Sequence, residues 1–191
     1  MTFMIQQLTK WQQQVFAAAL LQRMLPNYSL FASRASFGDD KLLQNQLDLV
    51  WQKLAKLPIK INLEAQLDKL EAVTPQPQDF DLFAVYPAQD VCSGMTCLLQ
   101  SLEEKESQCG EELSQLSLNS VKTYLDFSIM ESHGHAPEAA DLQQDPLMEW
   151  ELATQQELVR ILDTAIENKQ TCDDIKAMVK ADRLSNLGIE Y

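Results

Sequence analysis

Seven prolines and an apolar rhythm of three to four residues set the terms for this fold. Pro26, Pro58, Pro75, Pro77, Pro87, Pro137 and Pro146 all fall where the rhythm stops or restarts. Proline clashes inside a helix but suits its first turn, so this punctuation predicts helices joined by short connections. No stretch shows the polar/apolar alternation of a half-buried strand. Only five glycines occur in 191 residues. Leu, Gln, Ala and Glu, which lose little rotamer freedom in a helix, dominate.

The spacing predicts a first helix over Phe3–Leu25, with Met4, Leu8, Trp11 and Val15 on one stripe. Its second half is apolar on nearly every face, which marks a central helix. A short piece near Tyr28–Ala35 is expected beyond Pro26. Asp39 and Asp40 cap the next helix, whose seam of Leu43, Leu47, Val50, Leu54 and Leu57 ends at Pro58. Asn62 caps a third, carrying Leu63, Leu67, Leu70 and Val73. Residues 74–87 (TPQPQDFDLFAVYP) hold three prolines and are irregular, yet Phe80, Leu82, Phe83, Val85 and Tyr86 should pack them onto the core. Pro87 suits the first turn of a helix striped by Val91, Met95, Leu98 and Leu102. Gly94 inside it costs roughly 1 kcal/mol against alanine and implies a close neighbour.

Gly110 separates that helix from one with Leu118, Val121, Leu125 and Ile129 on its apolar face. A polar loop is expected over 132–144. Asp145-Pro146 opens a helix with Trp150, Leu158, Leu162 and Ile166, and Thr171 with Asp174 has capping-box spacing for the last. Leu187 and Ile189 should partly order the tail. The reading is all-α: one domain over residues 1–191, a compact bundle of about seven helices with one irregular, proline- and aromatic-rich segment.

Charge is split. Residues 1–60 hold seven Lys/Arg and three Asp, a net of +4, while residues 61–191 hold eight Lys/Arg and 25 Asp/Glu, a net of −17. No Lys or Arg lies between Lys69 and Lys105 or between Lys122 and Arg160. This field disfavours nucleic acid and anionic membrane and favours a basic partner. A solvated acidic exterior accounts for the same charge. No apolar run approaches the ~18 residues that span a bilayer. Val15–Leu21 resembles a signal-peptide core, but helical periodicity runs through it. Cys92, Cys97, Cys109 and Cys172 lack CxxC spacing, which fits reduced thiols in a cytoplasmic protein.

Candidate chemistry is sparse. Asp79, Asp81, Tyr86 and Asp90 are polar positions in an aromatic, irregular stretch, the usual setting for loop-borne binding. Arg23 is expected to pair with one of those aspartates, or to sit as a cation near a helix C-terminus. Together these five form a candidate ligand site for a small-molecule binder or enzyme; the same aspartates also suit helix capping. His133 and His135, with Glu131, Glu138 and Asp141, suggest a metal-binding loop over 131–141, but they lack the ligand spacing of a helical site, and a polar loop explains them equally. Cys92 and Cys97 have no neighbouring base and read as core residues. No dinucleotide, phosphate-loop, serine-hydrolase or zinc-finger signature occurs, so no catalytic residue and no cofactor is assigned. The remaining expectation is a non-catalytic interaction protein with a protein partner; a homo-oligomer is compatible with its amphipathic faces.

The segments LLQRMLPNYSLF (20–31), FGDD (37–40), LDLVW (47–51), DFDLFAVYPAQDVC (79–92) and SNLGI (185–189) resemble the YjaG-like family of bacterial proteins, over nearly the whole chain. The resemblance implies an all-helical fold and brings no catalytic residues. It also implies a signalling role alongside histidine kinases. A phosphorelay member needs a histidine on a helix or an aspartate at a strand end, whereas His133 and His135 are expected in a loop and no βαβ pattern exists. Signalling by this chain would therefore proceed by binding.

Overall fold

The computed structural model of the chain describes residues 4–138 and 142–191. Among them are seven α-helices, a 3-10 turn at Met4–Gln7 and another at Pro77–Asp79, with no strand beyond one isolated bridge of Leu184 with Glu190. The helices are α1 (Lys10–Ala35), α2 (Asp40–Leu54), α3 (Leu63–Val73), α4 (Val85–Ser101), α5 (Cys109–His133), α6 (Pro146–Asp163) and α7 (Lys169–Lys180). The all-α bundle expected from the periodicity is what forms.

α1 is the axis, packing against α2, α4, α5, α6 and α7. Every residue from Trp11 to Tyr28 on it is buried. Its start is set by a capping box: the Thr9 hydroxyl accepts from Gln12 N–H at 3.3 Å and Gln12 Oε1 accepts from Thr9 N–H at 2.8 Å. Phe3 lies outside the described residues, as does the side chain of Met4, but the helix expected from there is wrong over the following residues: α1 starts only at Lys10, after the separate 3-10 turn Met4–Gln7. The expected stop at Pro26 is wrong, because α1 continues to Ala35 with Pro26 inside it. An interior proline costs about 3 kcal/mol, but wholly buried Tyr28 and Phe31 lie beyond it and each contributes about 1.5–3 kcal/mol. The piece expected over 28–35 is thus the second half of α1.

The other boundaries follow local chemistry. Asp39 caps α2 by accepting from Leu42 N–H at 3.0 Å, and Asn62 caps α3 through Ala65 N–H at 3.1 Å, both as the sequence predicts. α2 stops at Leu54, before Pro58, where Lys56 takes a left-handed conformation. Pro87 lies in the first turn of α4, which begins at Val85. Gly94 faces the expected close neighbours: a Cβ there would stand 2.8 Å from Leu113 Cδ1 and 3.1 Å from Leu21 Cδ1. Gly110 does not separate helices but lies in the first turn of α5, pressed against Ile5 and Gln13. His133 is the last residue of α5, with left-handed Gly134 capping it, so the expected loop begins later than 132.

α6 carries the expected Asp145 cap but ends at Asp163, which leaves Ile166 off its stripe and 73% exposed. α7 is capped by Asn168 rather than by a Thr171–Asp174 box: Asn168 Oδ1 accepts from Thr171 N–H at 2.9 Å, and the Thr171 hydroxyl turns back to Ile166 O at 2.8 Å. The irregular segment packs only in part as expected: Phe80 and Val85 join the core, Leu82 and Tyr86 are exposed, and Val85 already begins α4. Phe80 meets Phe31 edge-on at 5.0 Å and Phe37 at 5.1 Å between ring centres.

One turn fixes this cluster. Gly38 has φ +82°, and a Cβ on it would stand 2.1 Å from Tyr28 Oη, which donates to Val73 O at 2.7 Å. Gly38→Ala therefore strains the backbone and displaces a buried tyrosine. It is expected to lower stability by about 2–3 kcal/mol and Tm by about 4–10 °C, read by thermal denaturation; an unchanged Tm would show that Tyr28 moves freely.

Candidate functional site

The five residues singled out from the sequence do not converge. Asp79 ends the second 3-10 turn and Asp81 follows it, both exposed. Tyr86 is exposed on the first turn of α4. Asp90, one turn on, is half-buried, and burial pushes its carboxyl upward against the opposing effect of the Ser120 hydroxyl. Arg23 is on α1, 2% exposed, and pairs with Glu151 of α6 rather than with any aspartate. It also lies mid-helix, not near a C-terminus. A buried guanidinium needs a carboxylate that is buried with it, whereas Asp79 and Asp81 stay at the surface and Asp90 is only half-buried.

A different constellation forms inside. Glu151 is fully buried. Arg23 Nη1 donates to its Oε2, while Ser117 Oγ and Gln155 Nε2 each donate to its Oε1 at 2.7 Å. Ser114 Oγ donates to Gln155 Oε1 at 2.6 Å. Asn186, from the tail, donates through Nδ2 to Ser117 Oγ at 3.0 Å and accepts from Asn27 Nδ2 at 2.8 Å. The Arg23 guanidinium carbon stands 4.4 Å from the centre of the Trp150 ring, a cation–π contact. The network ties α1, α5, α6 and the tail together. Ser185 and Asn186 are wholly buried, so the tail is fixed more firmly than Leu187 and Ile189 alone predict. Its geometry is that of a sealed structural ion pair, since no substrate reaches a carboxylate with no exposed surface.

The sequence signal for this network was present. Met148, Glu151, Gln155, Leu158 and Leu162 share one stripe of α6, and all are buried. A glutamate and a glutamine on the apolar stripe, facing an arginine within the most apolar helix, announce a buried pair.

The exposed apolar side chains gather elsewhere. Phe83, just before α4, stacks on Phe127 of α5 at 4.1 Å and 15°, and also meets Tyr86 and Tyr124. Leu82, Tyr86 and Phe127 are exposed there, and Met130 is exposed one turn beyond Phe127 on α5. Beneath this face lies a cavity of about 280 Å³ whose walls include Phe83, Pro87, Tyr124, Phe127 and Leu187. Its polar linings are Asn27 and Arg34, seven residues apart on α1. Asn27 is 1% exposed, and its Oδ1 accepts no hydrogen bond. Arg34 is exposed and makes no ion pair among the described residues. Sequence reading located the segment but not these residues, because Asn27 and Arg34 come from the helix thought to end at Leu25.

The thiols are quiet. Burial pushes Cys92 up to about 12 and Cys172 up to about 11. Cys109 is raised by burial too. Cys97 is raised by burial and then by the hydrogen bond its thiol donates to Glu112 Oε2 at 3.1 Å. His133 and His135 are exposed, with ring centres 6.0 Å apart; their Nδ1 atoms lie 2.9 Å from Ser132 Oγ and 3.0 Å from Ala136 O. Asp141 falls outside the described residues. Among those described, no three His, Cys, Asp or Glu side chains are placed to hold a metal ion, and no helix is long and apolar enough to cross a membrane.

These features define an α-helical bundle with a sealed internal ion pair and an aromatic face over a small cavity. The chain belongs to the family described as Protein of unknown function (DUF416), whose model matches residues 2–190. It is 32% identical over 188 residues to the Uncharacterized protein YjaG of Escherichia coli K12, covering 98% of this chain and 94% of that one. An Uncharacterized protein of Haemophilus influenzae is 32% identical over 192 residues, covering 98% and 95%. The crystal structure of a DUF416 family protein from Shewanella baltica OS155 matches with a TM-score of 0.89 at 32% identity, covering all of both chains. The YjaG-like resemblance therefore holds, and the family carries no assigned function.

Two outcomes test these assignments. Glu151→Gln leaves the Arg23 charge buried without its partner, so it is expected to cost about 3–5 kcal/mol in urea unfolding, while Arg23→Met with Glu151→Leu recovers most of the loss. A cost below about 1 kcal/mol would mean the pair contributes little. Thiols with raised pKa hold little thiolate, about one part in a thousand at pH 8 for a value near 11. Native protein is expected to label far more slowly with a thiol reagent at pH 8 than denatured protein, and faster as pH rises; rapid native labelling would contradict the shifts.

Proposed function

We propose that the protein is a non-catalytic binding protein that engages a partner protein through the aromatic face of Leu82, Phe83, Tyr86, Tyr124, Phe127 and Met130. The observation carrying this reading is that face itself. Among the described residues, the exposed side chains of Leu82, Tyr86 and Phe127 gather at the stacked pair Phe83 and Phe127, and Met130 is exposed one turn further along α5. Contiguous exposed aromatics of this kind mark interaction sites, and aromatic residues are enriched in interface cores.

The charge supports a basic partner. Both segments that build the face lie inside the stretches free of Lys and Arg, and Asp81, Asp126 and Glu131 adjoin Leu82, Phe127 and Met130 in the chain. Such a surface steers a positively charged partner and makes its binding salt-sensitive. The absence of convergence among Asp79, Asp81 and Asp90, the sealed state of Glu151 and the raised thiols favour binding over catalysis. A signalling role beside a histidine kinase, carried by the family resemblance, is compatible with this mode of action, as is a cytoplasmic setting.

The test is affinity capture from a bacterial lysate with three baits: the wild-type chain, a Tyr86→Ser/Phe127→Ser variant, and Ile166→Ser. Ile166 is a suitable control, exposed at the opposite end of α1, where Gln12 Nε2 bonds Ala165 O. The expected result is a protein held by wild type and by Ile166→Ser, released at moderate salt and lost from the double variant. A histidine kinase in that position would support the signalling role. Identical capture by all three baits would overturn the assignment of the face.

A further inference from the structure

We infer that the cavity beneath the aromatic face binds a small apolar monocarboxylate, a ring or short alkyl chain ending in one carboxylate. This is a ligand function separate from the docking of a protein on the face outside, and it stands or falls on the cavity alone. Three features of the cavity specify the ligand.

The first is charge. The chain carries 28 acids against 15 Lys and Arg. Among the described residues, however, the cavity is lined by a single charged side chain, Arg34, and by no acid. Arg34 is exposed and forms no ion pair among the described residues, so its guanidinium donors are free for a ligand. A guanidinium offers a carboxylate two parallel N–H groups, the geometry in which that pairing is strongest. The same charge opposes a cationic ligand.

The second is the lining. Leu30, Phe83, Pro87, Phe127, Leu187 and Ile189 give the cavity apolar walls. Asn27 is spent: its Nδ2 donates to Asn186 Oδ1 at 2.8 Å, and its Oδ1 is sealed from solvent. It closes the cavity and selects nothing. An apolar interior with one charged group suits an amphipathic ligand, the walls supplying contact area and the charge fixing orientation.

The third is dimension. Asn27 is buried and Arg34 exposed, so the cavity runs from a closed end to an open mouth. At a rise of about 1.5 Å per residue, the two positions stand about 10 Å apart along α1. A cavity of about 150 Å³ holds a benzene, so the 280 Å³ here has room for a ring with a short chain. With the ring among Phe83, Pro87 and Phe127, such a chain carries its carboxylate out to Arg34. A long-chain fatty acid exceeds the space.

NMR titration of the full-length chain with phenylpropionate, phenylpropionamide and phenylpropylamine tests this. The three share a ring and chain and end in an anionic, a neutral and a cationic group; acetate carries the charge without the ring. Phenylpropionate is expected to bind with a Kd on the order of 1 mM, shifting resonances of Leu30, Arg34, Phe83 and Leu187. The amide is expected to bind about three- to tenfold more weakly, the worth of one charge-assisted contact at an exposed arginine, and the amine more weakly again. Acetate should leave Leu30 and Phe83 unmoved. Arg34→Gln, a change at an exposed position, should bring phenylpropionate down to the affinity of the amide and leave the amide unchanged. Arg34→Lys, which keeps the charge but not the planar fork, should fall between. Equal binding of the three compounds, tightest binding of the amine, a carboxylate preference that survives Arg34→Gln, acetate matching phenylpropionate, shifts away from the cavity or no binding overturns the inference. Capture of a partner protein is read by the three baits above and is decided independently of these titrations.

Discussion

The pairing of Arg23 with Glu151 is the constraint around which the rest of the bundle is arranged. A guanidinium in the most deeply buried helix is unfavourable unless a carboxylate meets it and every remaining donor finds a partner. The structure meets the first demand with Glu151 and holds that carboxylate through three elements, while Arg23 Nη2 finds no hydrogen-bond partner among the described residues. α6 brings Glu151, Gln155 and Trp150, α5 brings Ser114 and Ser117, and the tail brings Asn186. Each group is placed by the one before it, so α1 cannot rotate or slide without breaking several contacts together. Apolar packing alone tolerates such slips; a directional polar network does not. In this protein the polar core fixes register and the apolar core supplies the driving force.

The same division separates what holds the molecule from what faces outward. The network closes on itself through Asn186 and reaches its outer limit at Asn27, whose amide stands at the base of the cavity under the aromatic face. Phe80 is drawn inward by Phe31 and Phe37, while Phe83, three residues later, is turned toward Phe127. One irregular segment thus divides its aromatics between core and surface, and its prolines keep it from winding into a helix that would bury or expose them all alike.

Much of the fold is legible in the sequence because it depends on local chemistry. The caps at Asp39, Asn62 and Asp145 need only a carbonyl oxygen at the right position, and the stripes of Leu43, Leu47 and Val50 or of Val91, Met95 and Leu98 need only periodicity. What misleads is tertiary override. Pro26 reads as a stop because its cost is local, whereas the gain from burying Tyr28 and Phe31 comes from partners distant in sequence. The site suffers for the same reason. The 79–92 segment stands out by composition, but Asp79 and Asp81 turn to solvent and Asp90 is half-buried apart from them, and the residues that line the cavity with it, Asn27 and Arg34, lie on a part of α1 that periodicity breaks off. Glu151 is legible only when its stripe is read together with Arg23, 128 residues away in the chain, and that pairing is not a local signal.

Arg23 also sets an order of events at the ribosome. Its partner lies 128 residues further along the chain. At synthesis rates of about 5–20 residues per second, that separation corresponds to about 6–26 s during which a charged, otherwise greasy helix waits without the acid that neutralises it. The nascent N-terminal segment holds an apolar axis whose covering layers are still being made, and Asn186, the last polar group of the network, lies 159 residues beyond its partner Asn27. Until those partners have been made, α1 is an apolar helix carrying an unpaired charge, the character of a client for a cellular chaperone.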